Sequence, residues 1–177
     1  MKVVLITGRS GSGKDTLAEL LSLYLDDKDL KVWIQHNADP VKYMAQTYFN
    51  VTNYKTDIGK QIMMGITDLM YSTDAYYFEK LSMKKVPKDT DVLIIPDWRY
   101  LNTKYYFEGR DDEVYTIMVK RVNVKEYTGD VRHKEEKLLS MLEPLVVIKN
   151  DMTIMELDKL ASNLANCIYL DLEGGAV

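Results

Sequence analysis

Short β-branched runs alternate with longer stretches of helical periodicity from one end of the chain to the other. Residues 3–6 are an apolar run, and over 14–25 Leu17, Leu20, Leu21 and Tyr24 recur at helical spacing. Residues 30–34 predict a second strand. Asp39-Pro40 predicts a helix start, with Asp as N-cap and Pro at the first helical position, where a missing N–H costs nothing. Ile58, Ile62, Ile66 and Met70 step by four, with Met63 and Leu69 beside them, which predicts an amphipathic helix over 57–71; a short helix follows over 74–83. Residues 92–95 predict a buried strand, 99–108 a helix, 114–119 a strand and 145–148 the last strand, with a charged segment at 122–137 leading into a helix. Thr153 and Glu156 have capping-box spacing and open a final helix whose face is Leu157, Leu160, Leu164 and Ile168, before a loose tail at 173–177. Strands and helices in this alternation build a parallel sheet covered on both faces. The expected architecture is an α/β three-layer sandwich of about five parallel strands, one domain over residues 1–177. Such sheets present ligands at the carboxyl ends of their strands, so the loops after Ile6, Ile34, Ile95, Val119 and Ile148 should ring a site.

Composition narrows the classes without choosing one. Apolar residues make up 46% and charged residues 28% of the 177, the balance of an ordinary globular protein. The apolar stretches are far shorter than the ~20 residues needed to cross a membrane. Residues 1–8 are too short for a signal peptide and read as a buried strand. A formal net charge of −4 argues against stable nucleic-acid binding, which needs a basic face. The single cysteine, Cys167, matches no disulfide or metal spacing, and its helical stretch predicts a buried thiol; a cytoplasmic location fits.

The chemistry begins after the first strand. Gly8-Arg9-Ser10-Gly11-Ser12-Gly13-Lys14-Asp15-Thr16 matches G-x-x-x-x-G-K, with a strand before it and a helix after, as a phosphate-binding P-loop requires. Glycines let successive backbone N–H groups surround phosphate oxygens, and the helix N-terminus adds its positive end. Lys14 can reach the β- and γ-phosphates and follow the charge as a phosphoryl group moves. Arg9 falls at the rim of the loop. Asp15 stands where Ser or Thr usually offers Mg²⁺ a hydroxyl, and a carboxylate can serve there directly or through a water. ATP and Mg²⁺ are therefore the expected cofactors, on residues 8–16.

Four later segments fall on the other predicted loops: Asn37-Ala38-Asp39-Pro40-Val41-Lys42-Tyr43, Asp97-Trp98-Arg99-Tyr100-Leu101-Asn102, Arg132-His133-Lys134-Glu135-Glu136 and Lys149-Asn150-Asp151. Taken in order with the Gly-Lys-Asp-Thr loop, over roughly residues 3–160, the chain resembles the bacteriophage deoxynucleoside monophosphate kinases. That family shows an Ala-Asp-Pro-x-Lys segment, an Asp-x-Arg-x-x-Asn segment, a His-x-x-Glu segment in a lid and a late Asn-Asp turn. The phosphomevalonate kinases share the Gly-Lys-Asp loop and the Asp-x-Arg segment. Two positions depart from the phage pattern. Tyr71 or Met70 stands where the central helix tends to carry arginine, and Thr103 follows Asn102 where an acidic residue is usual.

The resemblance implies a P-loop nucleoside monophosphate kinase fold with a lid at about 122–137 and an acceptor-binding arm at about 38–85. It also implies transfer from ATP to a (deoxy)nucleoside monophosphate, and host cytoplasm if the origin is a phage. Asp97 can orient Mg²⁺ or cap a helix; Arg99 can clamp the acceptor phosphate or form an ion pair. Lys14, Asp97 and Arg99 form the expected catalytic set, with Asp15 and Asp97 toward the metal. Asp39, Lys42, Tyr43, Arg99 and Asn102 face the acceptor side, although Asp39 reads equally as an N-cap. Arg121, Arg132, His133 and Glu136 are the lid candidates, the arginines suited to phosphate and His133 equally readable as solvated. Tyr43, Tyr76 and Tyr77 are candidates to stack on a base, with core packing the ordinary alternative. A phosphomevalonate-type kinase, a kinase of a modified base in DNA, a non-catalytic nucleotide-binding regulator and a homodimer all stay open at this point.

Overall fold

A computed structural model describes residues 1–122 and 129–174. Five strands, β1 (Lys2–Thr7), β2 (Val32–Ile34), β3 (Val92–Ile95), β4 (Glu113–Lys120) and β5 (Val146–Lys149), form one parallel sheet in the order β2-β3-β1-β4-β5. Every residue of β1 is buried, as befits a central strand, with Lys2 opposite Val92 on one side and Glu113 on the other. All five strands run the same way, so their carboxyl ends share one edge.

The connections are helices, as parallel pairing demands. They are α1 (Lys14–Asp26), α2 (Ala38–Phe49), α3 (Asp57–Thr73), α4 (Tyr77–Met83), α5 (Leu101–Glu108), α6 (Gly129–Ser140) and α7 (Ile154–Gly174). The two-residue period of β1 sorts its side chains into two cores. Val4 and Ile6 pack with Leu17 and Leu21 of α1 and with Leu157 and Ala161 of α7. Val3 and Leu5 face Leu93, Ile95, Trp98 and Phe107 on the other side. A third cluster, Val41, Ala45, Val51, Ile66 and Phe78, ties α2, α3 and α4 together within the stretch expected to form the acceptor arm. No helix among the described residues is long and apolar enough to cross a membrane.

Several local expectations change. Helix α2 starts at Ala38 with Asn37 in the cap position, so Asp39 lies inside the first turn instead of capping it. The predicted α3 stripe is buried only in part: Ile66 is in the third cluster, whereas Ile58 and Leu69 are exposed. Cys167 is exposed, because the inward stripe of α7 runs through Ala161, Ala165 and Ile168 and turns position 167 outward. Helix α7 continues to Gly174, so the first residues of the expected tail are helical; residues 175–177 lie outside the described ones. The capping box is present: Thr153 N donates to Glu156 Oε2 at 2.8 Å, and Glu156 N donates to Thr153 Oγ1 at 3.4 Å.

Candidate active site

The loop between β1 and α1 is built around backbone conformations that side chains disfavour. Gly8, Gly11 and Gly13 have φ of 144°, 81° and 96°. Space alone would exclude a larger residue at two of them: a Cβ on Gly8 would meet the Val119 carbonyl, and one on Gly13 the Asn150 amide. Asn150, at the end of β5, is buried; its Nδ2 donates to the Ser12 carbonyl at 2.7 Å and its N–H to the Lys120 carbonyl at 2.7 Å. The late Asn-Asp turn thus clamps the P-loop from the end of β5, two strands away from β1 in the sheet, a role its position in the sequence did not reveal. Ser12 Oγ is buried and has no partner among the described residues. An orphaned hydroxyl beside a cradle with room only for backbone fits phosphate oxygens, which accept hydrogen bonds and carry the charge such a loop lacks.

Lys14 lies at the floor of this loop, 6% exposed, with Nζ donating to the Arg9 carbonyl at 3.1 Å. Burial first, and then the neighbouring Arg99 cation, lower its pKa from 10.5 to about 8. Arg99 Nη1 donates to the Gly8 carbonyl at 2.7 Å and approaches Thr7 Oγ1 at 3.4 Å, which moors the guanidinium to the end of β1. Two close cations repel unless an anion lies near them, so the pair suits a negatively charged group.

Asp97 follows β3 and caps α2 from across the sheet edge. Its Oδ1 accepts from the Asn37 N–H at 3.0 Å and its Oδ2 from the Ala38 N–H at 2.7 Å, with His36 Nδ1 3.9 Å from Oδ2. The cap that Asp39 was expected to supply therefore comes from a residue 59 positions away in sequence. Two bonds leave lone pairs on both oxygens for a metal-bound water. Asp15 and Asp97 both line the cavity below, and these are the carboxylates that fit Mg²⁺ through water. Among the described residues, no group of three or more His, Cys, Asp or Glu is arranged to hold a metal ion by itself.

A cavity of about 680 Å³ opens from Lys14 toward α2, α3 and α4. Lys42, Lys55 and Lys60 line it together with Lys14 and Arg99, against the carboxylates Asp15 and Asp97. Helix α3 contributes Lys60, Met64, Thr67 and Tyr71, at spacings of four, three and four that place them on one face. Met63, Phe78, Tyr100 and Thr103 line it as well. Tyr71 and Tyr100 meet edge to face with ring centres 5.0 Å apart, and Tyr71 meets Phe78 at 5.4 Å.

Other sequence candidates lie elsewhere. Tyr43 is 67% exposed, since the α2 face that lines the cavity carries Val41 and Lys42. Asp39 is half exposed and pairs with Lys42 at 2.9 Å, outside the cavity wall. Asn102 points away too: its Nδ2 donates to the Ala75 carbonyl at 2.8 Å and joins α5 to the turn before α4. Tyr76 packs on Tyr106 and Tyr77 on Phe78, and the tyrosines lining the cavity are Tyr54, Tyr71 and Tyr100 instead. Arg9 and Arg121 line a second hollow of about 540 Å³ on the other side of Gly8. The side chains of Arg132, His133 and Glu136 lie outside the described ones; Lys134 of α6 forms an ion pair with Asp68 of α3. Lys60, Thr67 and Thr103 were missed because sequence periodicity scores apolar residues, and polar ones on a cavity face look like ordinary surface.

No protein-family model matches the chain, and no curated protein matches it. Solved structures do match. A gluconokinase from Sinorhizobium meliloti 1021 is similar with a TM-score of 0.51 and 10% identity, over 99% of this chain and 98% of its own. The Mycobacterium tuberculosis APS kinase CysC in complex with AMPPNP and APS has a TM-score of 0.49 and 13% identity, over 95% and 97%. At such identities the likeness concerns architecture. The chain has the three-layer α/β fold of the P-loop kinases, with its glycine loop and lysine at the carboxyl edge of a five-stranded parallel sheet.

Proposed function

We propose that this protein transfers the γ-phosphoryl group of ATP, with Mg²⁺, to the phosphate of a (deoxy)nucleoside monophosphate. One observation carries the reading: a single cavity runs from the P-loop lysine past a cluster of cations to an aromatic wall. The cationic end suits an acceptor that is already a phosphate. Tyr71 lies eleven residues beyond Lys60 on α3, about 16 Å along the helix axis, a span suited to a phosphate, a sugar and a base. The volume of about 680 Å³ falls within the usual range for a small-molecule site. Phosphomevalonate would match the lysines and leave the tyrosines and methionines with nothing to cover.

Each residue then has a part. The backbone N–H groups of residues 8–14 would hold the donor phosphates, and Mg²⁺ would supply further charge neutralisation near Asp15 and Asp97. Lys14 and Arg99 neutralise charge on the group in transfer. Asp97 fixes the start of α2, and with it Lys42, to the same sheet edge as Arg99. No general base is needed, because the acceptor oxygen is already ionised; positioning and electrostatics carry the rate. The lid expected at about 122–137 lies partly outside the described residues; within its described part the Lys134–Asp68 pair links α6 to α3, which lines the cavity. The test is ADP release with MgATP across the nucleoside and deoxynucleoside monophosphates, with phosphomevalonate and gluconate as comparison acceptors. Turnover confined to a comparison acceptor refutes the reading.

A further inference from the structure

Glu79 of α4 is completely buried, yet it is a carboxylate. Its Oε1 accepts from the Tyr71 hydroxyl at 2.8 Å and from the Thr103 hydroxyl at 2.6 Å, while its Oε2 has no partner among the described residues. Burial pushes its carboxyl up, and either protonation state leaves Oε1 an acceptor. Both donors line the cavity, so the protons of two wall hydroxyls are turned inward, away from any ligand. A third wall hydroxyl behaves alike: Thr67 Oγ1 donates to the Met63 carbonyl at 2.8 Å. Three hydroxyls that could each donate or accept are committed as donors within the protein.

We infer that this wall offers a bound molecule lone pairs only, and that it selects acceptors whose base carries an N–H group toward it. Glu79 acts as a positioning residue that fixes the polarity of Tyr71 and Thr103 without touching the ligand. An N–H group finds an acceptor here, whereas a carbonyl oxygen in the same place faces oxygen lone pairs and goes unpaired. The inference rests on the proposed nucleoside monophosphate acceptor and names what is read on it.

The experiment compares monophosphates that differ by one N–H site: dGMP with dIMP, dAMP with purine deoxyriboside monophosphate, dCMP with its 4-deamino analogue, and dTMP with N3-methyl-dTMP. For the natural monophosphate used best, loss of the N–H should lower kcat/KM by roughly 10–100-fold. Tyr71→Phe and Thr103→Val should lower the natural substrate toward its analogue, shrinking that ratio to within about threefold, with KM for ATP unchanged. Glu79→Leu should release the hydroxyl protons and also erase the preference; if it does not fold, the two hydroxyl variants decide. An analogue used as well as its parent, or a ratio untouched by Tyr71→Phe and Thr103→Val, overturns the inference and leaves the kinase reading standing. No transfer to any natural monophosphate overturns both.

Discussion

Replacing Lys14 by methionine should make the nucleotide-free protein more stable while removing its activity. The magnitude follows from the site. Burial and Arg99 hold the Lys14 pKa at about 8 against an ordinary 10.5, a gap of about 2.5 pH units. At about 1.36 kcal/mol per unit, keeping the ammonium charged in the folded protein at pH 7 costs about 3 kcal/mol. Methionine keeps most of the stem's packing and loses the hydrogen bond to the Arg9 carbonyl, worth about 1 kcal/mol. The net expectation is a gain of about 1–3 kcal/mol. The sign with pH follows from the folded pKa lying below the unfolded one. The cost to the wild type is fully present below pH 8 and fades as the pH rises from about 8 toward 10.5, where the unfolded chain also loses its proton. Urea denaturation of both proteins without nucleotide, at pH 7 and pH 10, measures the difference directly. The variant should lead at pH 7, and its lead should shrink at pH 10. A variant less stable than the wild type at pH 7, or a difference independent of pH, would refute the account of Lys14 as a strained, buried cation awaiting phosphate.

Other expectations concern neighbouring groups. Arg99→Met should reduce turnover by about 10²–10⁴-fold with a much smaller change in ATP affinity, and Arg99→Lys should restore only part of it; equal losses in both would make Arg99 a loop anchor alone. Asp97→Ala removes both bonds to the start of α2 and should cost about 1–2 kcal/mol in thermal stability as well as turnover, so a variant with unchanged stability contradicts the capping geometry. Asn150→Ala should weaken ATP binding by loosening the P-loop, measured by calorimetry, although Asn150 need not touch the nucleotide. Lys60→Met should raise KM for the acceptor at least tenfold and leave KM for ATP nearly unchanged, since the side chain lines the cavity on the α3 face; an equal rise in both would place it at the donor instead.

The chain's own pattern determined the architecture and half of the site. A glycine loop between a β-branched run and a helical stripe has few foldings open to it, because positive φ at Gly8, Gly11 and Gly13 and the strand-loop-helix order are local properties. Alternating apolar runs set the parallel sheet, and the capping box at Thr153 and Glu156 needed only three residues of separation. What the sequence could not decide were the meetings of distant polar residues. Asp97 caps α2 in place of Asp39, Asn150 clamps Ser12 from the far strand end, and Lys60, Thr67 and Thr103 turn toward a cavity that exists only once three helices pack. Tyr71 and Thr103, one a candidate and the other a certain departure from the resembling family's pattern, converge on Glu79, which nothing in the sequence singled out. Local chemistry is written in spacing of a few residues. The polarity of a binding wall depends on which buried acceptor each hydroxyl meets, and those partners lie 8 and 24 positions away, so tertiary packing alone chose them.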